Sequence, residues 1–505
     1  MIAPTRGRAA LGWLLAVAAG AAMGCKEATA PPPQPAAARV TLKDGDAQTA
    51  TAGSPLAQPL RVLVLDASGA PVSGVTVQWT VVSGGGSLSA TSTQTAADGI
   101  AAATLILGAA VGTQQAQAAV TGLAGSPVVF TATATAGEPQ ASALVVAGGG
   151  NNVPERFTSD LWVHGNYAYT GTWGTRLAPG NVIKVWQLSA AGAPALTDSV
   201  TIAGINTVSD VEVSEDGTLL LATGEYGDAA GLYLYSLASP AHPALVGKSL
   251  VPEPNGGLHT GTFATISGRR YVFAARDPAG TTPAMLIYDV TDPSAPTLLT
   301  TIDVPANYGA HDQLVRDGLA FSFIWNSGFR IYDVGNGMLG GTPAAPKLVS
   351  SFVTAAQGSD APEVHNGWWF HNPVTGEKRY LFIGQEGPGT VGSRSMGDIH
   401  VVDVSNLAAP VEVAFYHLPG AGTHNFWMDE PRQVLYAAYY NGGVVALDVS
   451  GTLSGDLAGR EIARLQPGGD GNTYVWGVQL ANGSLYASDM ISGLWQIGRV
   501  GPRLQ

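Results

Sequence analysis

Along most of this chain, apolar and polar residues alternate in runs of five to eight, each run ending at a turn. "RVLVLDASGAPVSGVTVQWTVVSGGGSLS" (61–89) alternates this way between turns at Ser68-Gly69 and Gly84-Gly85-Gly86, and "ADGIAAATLILG" and "SPVVFTATATAG" continue the pattern. A period of two, bounded by turn residues, places one side of a strand in a core and the other in water. Residues 38–137 are therefore expected to form a β-sandwich.

From residue 138 the pattern becomes periodic, with a repeat of roughly fifty residues. One series of strands reads "NVIKVWQLS", "GLYLYSLAS", "AMLIYDVTD", "GFRIYDVGN", "DIHVVDVSN", "GVVALDVSG" and "GLWQIGRVG". Asp289, Asp333, Asp403 and Asp448 share one place in it, and proline follows in five units, at Pro194, Pro243, Pro296, Pro346 and Pro410. Another strand precedes each of these, as in "GTLLLATGE", "KRYLFIGQ" and "QVLYAAYY". Units of four strands that cannot each bury a face alone stack radially, so residues 138–505 are expected to form a seven-bladed β-propeller. The last unit stops at "GLWQIGRVGPRLQ", one strand short, and "ASALVVAGGG" (141–150) is the spare strand expected to close the ring.

Composition narrows the function. Among 505 residues, 66 are glycine and only 12% are charged, which suits short strands and tight turns over long helices. The formal charge of −13, with no basic cluster, argues against a nucleic-acid partner. The sequence carries no nucleophile elbow, phosphate loop or HExxH helix.

The opening "MIAPTRGRAALGWLLAVAAGAAMGC" has a charged start, a short apolar run and small residues before Cys25, the single cysteine. This is the pattern of a secretory signal and is shorter than an ordinary membrane span. Gly24-Cys25 resembles a bacterial lipobox, which implies removal of residues 1–24 and acylation of Cys25. Residues 25–37, with "KEATAPPPQPAAA", read as a proline-rich tether. Export and lipid anchoring, at the outer membrane or cell surface, are the expectation.

Two family resemblances add to this reading. Asp66, Gly69, Pro71, Val72, Val75, Trp79, Asp98 and Gly99 make residues 38–137 similar to the bacterial immunoglobulin-like repeats of invasin and intimin type. That resemblance implies a stalk or adhesion spacer. "IYDVTDPSAPTLL", "VVDVSNLAAPVEV" and "HNFWMDEPRQVLYAAYYNGGVVALDVSG" resemble LVIVD-repeat propeller proteins, a bacterial exported group. This implies the fold and says little of activity.

Candidate chemistry lies with the histidines. Four of the nine, His259, His311, His365 and His424, each open the first strand of a unit, so equivalent places around one channel mouth should carry them. Alignment of the units sets Ser159 and Ser209 at the same position, followed by Asp160, Asp210, Asp312, Asn366 and Asn425. Converging neutral imidazoles suit a transition metal such as Fe, Cu or Zn. A histidine or serine there can equally staple one blade to the next, and both readings stand. His164, His242 and His371 fall in turns, and His400 and His417 in outer strands. Loops after second strands bring Trp173, Glu225, Trp325, Glu386 and Tyr440 to the same mouth, with Tyr226, Asp277, Asn326, Tyr439 and Asp489. Aromatic residues beside carboxylates suit a protein, peptide or carbohydrate ligand. The leading expectation is a binding or adhesion head without catalysis. The alternative is a metal-dependent, possibly oxidative enzyme.

Overall fold

The structure is a computed structural model that describes residues 36–135, 142–189, 192–251, 256–277, 282–304, 309–356, 361–387 and 389–505. Cys25 with its signal, and most of the tether, fall outside these residues. The chain divides into two compact units, residues 1–139 and 140–505.

In the first unit, a sheet of Ala37–Asp44, Leu60–Asp66 and Ile100–Ala103 shares one core with a five-stranded sheet. The inward positions of the alternating runs supply that core: Val62, Val64, Val77, Trp79, Ala116, Ala118 and Phe130. Asp66 makes the first turn by taking the backbone N–H groups of Ser68 and Ala70 on one oxygen, and Gly69 adopts φ 90° there. A left-handed position of this kind favours glycine.

The described residues of the second unit form a succession of largely antiparallel sheets, most of four strands, with one of eight and one of five. The first strands of their meanders are Phe157–His164, Thr207–Val213, Gly261–Ile266, Asp312–Arg316, Val364–Trp369, Phe426–Asp429 and Val475–Ala481. Each first strand touches the next, and the last touches the first, so the sheets close into a ring. This is a β-propeller arrangement. The final meander takes its outer strand from the beginning of the unit: Ala143–Gly149 pairs antiparallel with Gly493–Val500. The spare strand "ASALVVAGGG" thus lies where the repeat count required it.

Middle strands are covered on both sides by neighbouring sheets, and all seven residues of Leu219–Glu225 are buried. Outer strands, such as Ala244–Leu250 and Thr297–Asp303, alternate instead. The recurring aspartate closes the turn after the third strand. Asp289, Asp403 and Asp448 each accept the N–H two residues on, from Thr291, Ser405 and Ser450. Asp333 accepts five, from Gly335, Asn336, Gly337, Leu339 and Gly341. Pro243, Pro296, Pro346 and Pro410 each immediately precede a fourth strand, whereas Pro194 lies within Gly192–Thr201, beside a register shift.

Candidate functional site

Cross-sheet hydrogen bonds establish which residues are equivalent around the ring. Ser159 Oγ donates to the carbonyl of Val208 at 2.6 Å, Ser209 Oγ to that of His259 at 2.5 Å, and Thr260 Oγ1 to that of His311 at 2.7 Å. The backbone N–H of Asn425 reaches the carbonyl of Trp476 in the same way at 3.2 Å. Ser159, Ser209, Thr260 and Asn425 therefore share one position, and the residue before each belongs to another. This corrects the alignment by one residue: Thr158 and Val208, not Ser159 and Ser209, stand level with His259, His311 and His424. The serines are the staples, and the histidines occupy a different row. One-residue register shifts recur at this point of the first strands, between Thr158 and Leu161, Val208 and Val211, Val364 and Asn366, and Val475 and Gly477. A bulge adds a residue without changing the apolar pattern that an alignment follows.

Backbone bonds hold the row firmly: the N–H groups of His259, His311 and His424 each donate at 2.8 Å, to the carbonyls of Ala275, Phe323 and Ala438. The four imidazoles lie side by side. Successive ring centroids are 4.2 Å apart for His259–His311, 4.4 Å for His311–His365 and 4.0 Å for His365–His424. Trp476 continues the circuit 4.1 Å from His424, and Trp173 closes it at 5.0 Å from Trp476 and 5.9 Å from His259. All four histidines are at most 6% exposed.

Carboxylates stand behind and between these rings. Glu225 bonds Nδ1 of His259 and Asp277 bonds Nδ1 of His311, both at 2.8 Å. Glu386 Oε2 lies 3.5 Å from His311 Nε2 and 3.6 Å from His365 Nε2, while Tyr440 donates its hydroxyl to the other Glu386 oxygen. His311 Nε2, both ring nitrogens of His365 and His424 Nδ1 are buried with no hydrogen-bond partner. Burying a polar atom unpaired costs of order 1–3 kcal/mol, so several at one point mark a place built for something else. Two sets offer donor atoms that all lie within 4.8 Å of one another: His311, His365 and Glu386, and His259, Asp277 and His311. His424 belongs to neither set, although it stacks against His365.

Burial, with the neighbouring His424 and His311 charges, drives His365 well below the ordinary imidazole range. Burial also holds His424 down to about 3, against the pull of Glu386. Both are thus neutral donors at neutral pH. His311 behaves oppositely. Burial disfavours its charge, but Asp277 and Glu386 outweigh that and push it up to about 10.

A cavity of about 340 Å³ opens over His259, His311 and His424. Trp173, Glu225, Trp325, Glu386 and Tyr440, named from sequence, all line it, as do Tyr226 and Asp277. Tyr439 instead packs in a core cluster, and the buried Asp489 accepts the N–H of Tyr474. Sequence reasoning missed Trp476, Tyr474 and Met490, which also line the cavity. Trp476 was legible in principle, since it opens the first strand of its own unit as the histidines do. Trp325 and Tyr440 adopt φ 46° and 37°. Left-handed backbone at a bulky residue costs of order 1–3 kcal/mol and collects at functional sites.

The other residues named with this row lie elsewhere. Asp160, Asp210, Asp312, Asn366 and Asn425 line a separate cavity of about 320 Å³. Burial, then the neighbouring Asp210, pushes Asp312 up to about 7. The remaining histidines are paired or peripheral: His242 with Asp198, His400 with Glu412 and Gln385, and His417 with Asp398.

Fold and site together define a β-propeller with a histidine-rich channel mouth. The chain carries LVIVD repeats, matched at residues 155–178 and 395–417, which fall on the first and fifth meanders. Among solved structures it is similar to the C-terminal WD40 domain of Sif2, at 13% identity and a TM-score of 0.43, over 77% of this chain and 90% of that one. No curated protein matches it.

Proposed function

We propose that this chain is a metal-dependent enzyme whose seven-bladed propeller holds a divalent first-row transition metal at the channel mouth. One observation carries the reading: His311, His365 and Glu386 bring buried donor atoms within 4.8 Å of one another, and His311 Nε2 and both ring nitrogens of His365 have no hydrogen-bond partner. Two further features support it. Carboxylates on Nδ1 of His259 and His311 fix those rings with Nε2 left as the donor, the usual outer support of a metal-bound histidine. The cavity over the cluster leaves room for a substrate, as catalytic sites do and structural ones do not. When bound, the metal would supply Lewis acidity or redox chemistry. The chain's own groups orient it, and Tyr440 on Glu386 holds a proton beside it. His424 stacks on the cluster and belongs to its wall.

In this reading residues 38–137 are an immunoglobulin-like spacer, and acylated Cys25 tethers the enzyme to a bacterial membrane. The unpartnered nitrogens favour the metal over a purely adhesive head, for which a buried charged cluster has no use.

Element analysis of the purified protein, before and after loading with Zn, Cu or Fe salts, is the direct test. One transition metal per chain, lost in His311→Ala, is the expected result. Protein that retains no stoichiometric metal after loading overturns the proposal.

A further inference from the structure

Much of the wall of the cavity over the histidines is aromatic. Trp173, Trp325, Tyr440, Tyr474 and Trp476 line it, and the rings of Tyr440 and Tyr474 stack at 4.4 Å. Trp325 and Tyr440 face it from left-handed backbone held by the adjoining sheet. Trp325 exchanges two 3.0 Å bonds with Val364, and the Val475 N–H donates to the carbonyl of Tyr440 at 2.9 Å. Each strained aromatic is thus clamped by the first strand of the next meander, so the aromatic wall is preorganised.

The charges of this cavity are of one kind. Glu225, Asp277 and Glu386 line it, and no lysine or arginine is among its described lining residues. Three carboxylates give a formal −3. A divalent ion on the imidazoles would leave −1, so the formal sign is the same with the ion or without it. An anion brought here meets like charge at low dielectric, where repulsion is strong. A neutral ligand leaves that field unanswered. An organic cation answers the field and places its charge on the negative faces of the indole and phenol rings.

We propose that this cavity binds an organic ammonium ion, a substituted amine of about the size of benzyltrimethylammonium, held between the aromatic wall and the carboxylates. The inference shares the cavity with the metal reading but not its premise, since the charge argument holds with the metal or without it.

Calorimetric titration of the full chain, metal-stripped and zinc-loaded, tests this with benzyltrimethylammonium, benzyl alcohol and phenylacetate. The ammonium ion is expected to bind both forms at least tenfold tighter than the alcohol, with no measurable binding of phenylacetate. Trp325→Ala and Trp173→Ala, at half-buried positions, should each weaken the ammonium at least tenfold. Trp325→Phe, which keeps a π face, should restore most of the affinity. Phenylacetate binding as tightly as the ammonium, or ammonium binding indifferent to both alanine variants, overturns the inference. Ammonium binding without stoichiometric metal would sink the metal reading alone, and metal without ammonium binding would sink this one alone.

Discussion

The four imidazoles are unequal, and variants should separate them. His311 belongs to both donor sets, so His311→Ala is expected to abolish metal retention, and His365→Ala to weaken it more than tenfold. His424→Ala, outside both sets, should keep a metal at reduced affinity, and His164→Ala, far from the cluster, should leave it unchanged; element analysis reads all four. Equal effects at all four positions would contradict the ranking. A second residue-scale prediction concerns Asp333. Burial alone would raise its carboxyl, but N–H groups of Leu339, Gly335, Gly341 and Gly337 outweigh it and hold the group at about 2, against an ordinary 3.8. A folded value below the unfolded one adds stability above the unfolded value, and that stability drains away as pH falls from about 4 to 2. The contribution is on the order of 2 kcal/mol. Asp333→Asn should therefore be less stable at pH 7 and show a shallower loss between pH 4 and 2, measured by urea unfolding across pH.

Among elements, the strand that closes the ring matters most. Without Ala143–Gly149 the edge of Gly493–Val500 has no partner, and an open apolar edge recruits other chains. A chain beginning at residue 156 should aggregate where one beginning at residue 140 stays monomeric, as size-exclusion chromatography with light scattering would report. Equal behaviour would mean that the ring does not depend on this strand. The need for the strand was legible from counting, because the last unit ran out one strand early. The bulges were not legible. Ser159 and Ser209 align with the histidines by text alone, and only the hydrogen bonds to Val208 and His259 show that they are offset by one. Local composition does not record where a strand takes an extra residue, since that is decided by the fit of one sheet against the next.

For the whole molecule, the anchor is the testable claim. If Cys25 is acylated, Cys25→Ala should move the protein from the membrane fraction to the soluble one, and unchanged membrane association would exclude the lipid. The remaining division is between periodicity and convergence. Sequence alone determined that the chain is all-β, that its larger part repeats in four-strand units, and that four units carry histidine at one place. Each follows from short-range patterning, which strand geometry imposes wherever one face is buried. Tertiary structure alone decided what those places mean. It put Glu386 between His311 and His365, set Glu225 and Asp277 on the Nδ1 atoms of His259 and His311, moved the serines out of the row and brought Trp476 into it. These contacts join residues from 21 to 75 positions apart, and their distances depend on how the sheets stack around the axis, which no local stretch of the chain encodes.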